Sequence, residues 1–193
     1  MKELARLVGI LTLCCLIAGL LLSWVNTVTS APIAEAARAE QLAALKAVLP
    51  EYDNQPDIDV VTMPDESGTP WIFHIARKSG AYAGCAFKAV SSQGYAGDIA
   101  IMVGISADGT VRGVEVLAQK ETPGLGARIT EPAFRSQFAG KPIEGTIWKV
   151  RKEQGNFDQV TAATISSRAV LEAMDRGFNI YRLKESTIRE SKP

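Results

Sequence analysis

The beginning of the chain consists of a short charged segment followed by a long apolar run. Residues 7–25 carry no charged side chain. About 20 apolar residues, each rising 1.5 Å along a helix, cross the ~30 Å hydrocarbon layer of a membrane. The pattern therefore predicts a transmembrane helix over residues 7–26. A cleaved signal peptide is the alternative, because Thr29-Ser30-Ala31 supplies small residues, but its apolar region normally runs only about 7–15 residues.

The basic residues around this run predict its orientation. Lys2 and Arg6 precede it, and the next basic residue is Arg38. Because an excess of positive charge marks the cytoplasmic side of a membrane, residues 1–6 are predicted to be cytoplasmic. The rest of the chain then lies outside the bacterial inner membrane, in the periplasm, attached by a single span.

A second helical pattern follows the apolar run. Strong helix formers dominate from Ala31 to Leu49, and Pro50 ends the pattern. We assign residues 27–56 to a connecting helix and a linker, with at most one short strand near residues 58–62.

The middle of the chain is patterned as an antiparallel sheet. Segments rich in β-branched and aromatic residues alternate with glycine-containing turns. Asp108-Gly109 supplies the positive φ angles that a tight hairpin requires. The predicted strands are residues 71–76, 81–90, 98–105 and 110–117.

The C-terminal third returns to helical spacing. After a glycine-containing loop at residues 121–127, the pattern predicts a short helix at 132–138, a strand at 146–151 and a last helix at about 165–178. The last helix has one apolar face, formed by Val170, Ala173, Met174, Phe178 and Tyr181.

Together these elements predict an α+β fold, an antiparallel sheet packed with helices and preceded by one N-terminal transmembrane helix. The external domain is assigned to residues 57–183, and residues 184–193 are predicted to be a polar tail that frays.

Composition and single residues limit the chemistry. Acidic and basic residues number 21 each, which gives no support to nucleic-acid binding. The external part holds one cysteine, Cys85, so it has no intrachain disulfide, and we expect that thiol to pack on a strand. His74 is the only histidine and is expected to be structural. We predict no metal site and no catalytic residue.

Hydroxyl side chains cluster at the predicted start of the last helix. Helix N-termini hold phosphate well, because their first N–H groups are unpaired and partially positive. An ordinary N-cap is the alternative interpretation. The hydroxyls belong to Thr161, Thr164, Ser166 and Ser167.

A glycine-containing loop is the second candidate. Thr122-Pro123-Gly124-Leu125 suits a turn with proline in second and glycine in third position, and Gly126 follows it. Bare backbone of this kind lets a flat ligand approach closely, although a plain connecting loop would have the same composition.

Both segments belong to a longer set of motifs, which includes GYAGDIAI at residues 94–101, ETPGLG at 121–126 and FDQVTAATISSRAV at 157–170. In this order the motifs resemble the G subunit of the Rnf electron-transport complex and its relative, the C subunit of the sodium-pumping quinone reductase. The resemblance runs through most of the chain. It implies an FMN whose phosphate is esterified to Thr164 by a separate flavin transferase, which uses FAD and magnesium. Asp158 and Thr161 would belong to the sequence that this transferase recognises.

The resemblance also implies the remaining site residues and the partners. Glu121, Thr122, Gly124, Leu125 and Gly126 are the candidates for ring contacts, and Thr161, Ser166 and Ser167 are further candidate cofactor-binding residues. For Trp148, core packing is favoured over a place beside the ring. The implied function is electron relay within a membrane complex that couples ferredoxin and NAD to ion movement, with the other Rnf-type subunits as partners.

One position departs from the family motif, because Ala162 stands where relatives usually have glycine. If that position needs a positive φ, flavin attachment would be slowed or lost. Two alternatives follow: a scaffold subunit of the same complex without flavin, or a free-standing periplasmic flavin-binding reductase domain released by signal cleavage.

Overall fold

The computed structural model describes residues 2–65 and 68–191. The chain divides between Gln41 and Leu42 into two compact units. Helix α1 spans Lys2–Val48 without a break, although Pro32 lies inside it. The predicted anchor and connecting helix are therefore one continuous element.

The first part of α1 is suited to lipid. It is long and apolar enough to cross a membrane. No residue in its most apolar stretch is buried against another part of the protein. Three of its hydroxyls are bonded within the helix, since Thr12, Thr27 and Thr29 each donate to the carbonyl four residues earlier at 2.8–2.9 Å. Internal satisfaction of this kind is what a hydrocarbon environment requires.

The second unit is built on a five-stranded antiparallel sheet in sequential order. Its strands are β1 (Val60–Pro64), β2 (Pro70–Lys78), β3 (Ala81–Ser91), β4 (Ile99–Ser106) and β5 (Val111–Ala118). The predicted sheet is thus confirmed, with β1 two residues later than expected. The hairpin between β4 and β5 is confirmed as well, because the Ser106 N–H donates to the Thr110 carbonyl at 2.9 Å. Of the predicted pair, Gly109 has a positive φ of 77°, whereas Asp108 does not have a positive φ.

One face of the sheet is covered by the last helix, α3 (Thr164–Glu190). Helix α3 packs closely on β3 at Gly177, because a Cβ on this glycine would lie 2.0 Å from the ring of Phe87. The predicted helix end near residue 178 is wrong, and so is the prediction of a frayed tail over residues 184–190, which are helical. Residues 192–193 of that predicted tail lie outside the described part of the chain. Tyr181 and Ile188 continue the apolar spacing into the core, and Arg189 donates to the Ala107 carbonyl at 2.6 Å, so the helix stays ordered through its polar end.

The opposite face is covered by the last turns of α1. Leu45, Val48 and Leu49 pack there on Ala86 and other small or apolar side chains of the sheet. Gly104 in β4 allows this close contact because it has no side chain. A Cβ at this position would lie 2.0 Å from the Val48 carbonyl oxygen.

Short elements connect β5 to α3. They are 3-10 turns at Gly126–Thr130, Ser136–Phe138 and Arg151–Glu153, and a single helical turn, α2 (Pro132–Arg135). The predicted strand at 146–151 is wrong, because this segment forms only one bridge, between Val150 and Phe157. The ring of Trp148 stacks on Phe157 with centroids 4.8 Å apart, so hydrophobic packing explains its strand-like composition.

His74 and Cys85 have the structural roles expected from the sequence. His74 is buried, and its Nδ1 lies 2.8 Å from the Pro56 carbonyl. Burial lowers the pKa of this imidazole below its ordinary value. Cys85 is fully buried in β3, and burial raises the pKa of its thiol to about 12, so the thiol stays protonated and unreactive.

Candidate functional site

A cleft of about 490 Å³ opens at the N-terminal end of α3. This volume lies within the range of about 300–1,000 Å³ that is typical of small-molecule sites. The walls come from the loop after β3, the loop after β5 and the first residues of α3. The lining residues are Tyr95, Glu121, Thr122, Leu125, Gly126, Ala162, Ala163, Thr164, Ile165 and Ser166.

A buried carboxylate joins these three segments. Glu121 is 5% exposed. One of its oxygens accepts the Ser166 hydroxyl at 2.6 Å, and the other accepts the Ala96 N–H at 3.0 Å. Such charge-assisted hydrogen bonds are short and strong. Glu121 therefore fixes the relative positions of the cleft walls.

The bare backbone at Gly126 allows this contact. A Cβ built there would lie 2.3 Å from Glu121 Oε2 and 2.6 Å from Ser166 Oγ. The turn before it has the predicted form, with Gly124 at φ 75° and the Leu125 N–H donating to the Thr122 carbonyl at 3.1 Å. The contacts of Glu121 therefore fix the conformation of this loop, which is more than a flexible connection between β5 and α3.

Helix α3 begins at the cleft without a side-chain cap. Its N-cap residue is Ala163, and no described side chain accepts a hydrogen bond from the first turn there. The first N–H groups of a helix have no intrahelical partner and carry a partial positive charge. Thr164, the first residue of the helix, is half-buried on the cleft wall. An anion in the cleft would satisfy these amides.

The segment before α3 holds a strained backbone conformation. Ala162 has φ 61°, in the left-handed region, where an L side chain with a Cβ is disfavoured. Ser167 stabilises the segment, because its hydroxyl accepts the Val160 N–H at 2.9 Å and donates to the Ala163 carbonyl at 3.0 Å. Position 162 thus has a positive φ in this chain although its residue is alanine.

The cleft brings together six of the nine site residues predicted from the sequence. These are Glu121, Thr122, Leu125, Gly126, Thr164 and Ser166.

The other three residues lie elsewhere. Gly124 belongs to the neighbouring turn. Ser167 is fully buried and bonded to backbone groups. Thr161 is exposed and lines a separate cavity of about 220 Å³. Trp148 is 4% exposed and packs in the core, as the sequence favoured.

Four lining residues were not among the predicted contacts. From the sequence, Ala162 stands out only as a departure from the motif, and Tyr95, Ala163 and Ile165 have no predicted role. Tyr95 lies in the motif at residues 94–101, and an aromatic residue in a glycine-flanked loop was the available signal. Ala163 and Ile165 flank Thr164 and follow from its position alone.

Charge in the cleft is sparse. Glu121 is the one charged side chain among the described residues that line it. The nearby ion pairs, Arg151 with Asp158 at 2.8 Å and Arg168 with Glu153 at 2.6 Å, lie on exposed surface, where such pairs contribute little. Attraction of an anion to this site therefore depends mainly on the N-terminus of α3.

Comparison with known proteins places these features in a family. Residues 94–179, which include every residue lining the cleft, match the FMN-binding domain family. The G subunit of the ion-translocating oxidoreductase complex of Cereibacter sphaeroides is 35% identical over 173 residues, covering 86% of this chain and 78% of that protein. Its counterpart in Aliivibrio fischeri is 33% identical over 191 residues, covering 93% of this chain and 91% of that protein.

Solved structures support the fold. NqrC of Shewanella oneidensis aligns with TM-score 0.54 and 19% identity over 72% of this chain and 76% of that one. The C subunit of the Na(+)-translocating NADH-quinone reductase of Parabacteroides distasonis aligns with TM-score 0.53 and 20% identity over 80% and 85%. Sequence identity over most of both chains places this protein in the family formed by the G subunits of ion-translocating oxidoreductase complexes.

Proposed function

We propose that this chain is a membrane-anchored FMN-binding subunit of an ion-translocating oxidoreductase complex, with FMN bound covalently through Thr164. It relays electrons between redox subunits of that complex. The family membership and the match to the FMN-binding domain support the cofactor and the setting. The geometry of the cleft supports the attachment point.

The residues present fit a flavin mononucleotide. The uncapped start of α3 offers unpaired amides and a partial positive charge to a phosphate. The cleft has room for an organic ligand, and Leu125 and Ile165 add apolar contact area at its walls. When bound, the flavin supplies the redox chemistry, while the protein binds, orients and shields it.

The four hydroxyls near the helix start are not equivalent, and this observation carries the proposal. Ser166 donates to Glu121, and Ser167 is engaged with two backbone groups. Thr161 lies outside the cleft. Of these four, only Thr164 combines a place on the cleft wall with a hydroxyl that is not needed to hold the site together.

The attachment requires a transferase with FAD as donor. Thr164 Oγ1 forms a bond to the phosphorus of the FMN half, the pyrophosphate P–O bond breaks, and AMP leaves. The hydroxyl proton passes to a base of the transferase. The resulting ester keeps the cofactor in place on the periplasmic side, where a dissociated flavin would diffuse away.

The conformation of Ala162 argues against the scaffold alternative. Its methyl group does not prevent the left-handed backbone, so the cleft forms with alanine in place of glycine. The residue is exposed and lines the cleft wall together with Thr164.

The anchor is proposed to be residues 7–26 of α1. The apolar side chains of this segment are exposed to their surroundings, and Lys2 and Arg6 precede it. The positive-inside rule then places the sheet and the cleft in the periplasm. An alkaline phosphatase fused after the last residue should be active, whereas an inactive fusion would contradict this orientation.

Intact-mass spectrometry tests the covalent proposal. The full chain is co-expressed with a flavin transferase and exported, beside Thr164→Val and the matched control Thr187→Val, which changes an exposed threonine farther along α3. Wild type and Thr187→Val should gain one FMN less one water, and Thr164→Val should not. An unmodified wild type with a working transferase would favour the scaffold, and a soluble form cleaved after Ala31 would favour the free-standing reductase domain.

A further inference from the structure

An aromatic side chain at the cleft, that of Tyr95, is highly exposed, and no packing contact within the described part of the folded chain accounts for its presence there. Tyr95 is 73% exposed, more than any other large apolar side chain among the described residues, including those of the apolar helix. Tyrosine usually buries its ring against an apolar partner. Of the described residues that line the cleft, Tyr95 alone is aromatic.

The loop that carries Tyr95 is firmly held. The Ala96 N–H donates to the buried Glu121 carboxylate at 3.0 Å. A Cβ on Gly94 would lie 2.1 Å from the Gly97 carbonyl and 2.8 Å from Glu121 Oε1. The backbone on both sides of Tyr95 is therefore fixed, and its exposure does not result from a loose loop.

Two other exposed apolar side chains complete the same opening. Leu125 is 45% exposed and Ile165 is 44% exposed, and both line the cleft with Tyr95. Exposed apolar groups that gather around one cavity mark a ligand-binding groove. A flat aromatic ligand between them would cover all three.

We propose that Tyr95 stacks on the flat ring of the bound flavin and closes the open side of the cleft. The inference rests on flavin occupying this cleft, as proposed above. Aromatic rings prefer offset-stacked contacts at centroid separations of about 4.5–7 Å, and a tyrosine on a fixed loop makes such a contact with little loss of entropy. Tyr95 then positions the ring and limits water at one of its faces.

Flavin fluorescence reports this contact independently of electron-transfer activity. In contact, a phenol gives an electron to the light-excited ring and takes it back, so both groups return unchanged and the emission is quenched. A phenyl ring stacks similarly but is a much poorer electron donor. Tyr95→Phe therefore separates the presence of the phenol from the packing.

The experiment uses the full flavin-loaded chain in detergent, with the mass of each sample showing whether flavin is attached. Wild type should have a short fluorescence lifetime. Tyr95→Phe should lengthen it several-fold with the absorption band unchanged, and Tyr95→Leu should lengthen it and also shift the band. Tyr52→Phe, the same change at a tyrosine outside this cleft, should leave it short.

A wild-type lifetime equal to that of Tyr95→Phe would overturn the proposal. That result would leave the covalent attachment intact if the mass still shows flavin, so the two proposals fail separately. Lifetimes that lengthen equally in Tyr52→Phe would also contradict a specific role for Tyr95.

Discussion

Replacing Ala162 with glycine should stabilise the folded chain, because this residue is held at φ 61°. The left-handed conformation costs an L residue about 1–2 kcal/mol. Glycine removes that cost but gives the unfolded chain more freedom, worth about 0.4–1 kcal/mol. The expected net gain is about 0.5–1 kcal/mol, which corresponds to about 1–4 °C in Tm for a chain of this size.

Near-UV circular dichroism on the full chain in detergent measures this change, because it reports the packing of the buried Trp71 and Trp148. Two control variants show whether the change in Tm comes from the φ angle at position 162. Gln154→Gly relieves the same φ of 61° on an exposed turn and should also raise Tm. Ala163→Gly acts at φ −132° on a residue 6% exposed, and should lower Tm.

The same substitution should affect flavin loading. With a transferase present, Ala162→Gly should load at least as fast as wild type, because the strain lies two residues before the acceptor. Gln154→Gly should load at the wild-type rate. If Ala162→Gly lowered Tm or left it unchanged while Gln154→Gly raised it, the assignment of strain to this position would be refuted.

Three further changes test the packing around the site. Gly126→Ala should reduce flavin loading and destabilise the chain by about 2–3 kcal/mol in urea unfolding, because the new methyl group displaces Glu121 from its buried hydrogen bond. Gly177→Ala should destabilise it by about 2 kcal/mol or more without a direct effect on loading, because its methyl group would overlap the ring of Phe87. Lowering the pH below about 6.5 should reduce Tm, because the unfolded chain takes up a proton at His74 that the folded chain, with its lowered imidazole pKa, resists.

Matched variants keep these predictions distinct. Gly113→Ala adds a methyl group whose nearest neighbour is 3.6 Å away, so a loss as large as that of Gly126→Ala would refute the steric argument. His74→Asn keeps a donor for the Pro56 carbonyl but does not titrate. Its Tm should fall less steeply between pH 7 and 5 than that of wild type, and equal slopes would show that His74 is not responsible.

The sheet and its turns could be predicted because their determinants are local. The β-branched segments and Asp108-Gly109 carry the strands and the hairpin within a few residues. The turn after Thr122 likewise follows from one proline and one glycine. Short-range chemistry decided these elements, and tertiary packing did not override it.

The errors came where distant contacts decide the structure. The segment at 146–151 has strand-like composition because Trp148 and Val150 fill the core, not because they pair in the sheet. Helix α3 continues past residue 178 because Ile188 is fully buried. In both places the sequence shows apolar residues without showing which surface they meet.

The cleft illustrates the same limit. Glu121 and Ser166 lie 45 residues apart and share one buried hydrogen bond. The family motif identified both but not their mutual contact, nor the place of Tyr95 beside them. The different roles of the four hydroxyls also needed the structure, because Ser167 and Thr164 are chemically alike in the sequence.

The most direct test of the central claim is fragment mass spectrometry of the tryptic peptide Glu153–Arg168 from the co-expressed chain, because this peptide contains all four candidate hydroxyls. The account predicts one FMN phosphoester, located on Thr164, with the other hydroxyls unmodified. A phosphoester on Thr161 or Ser166, or a peptide without flavin despite a working transferase, would contradict it.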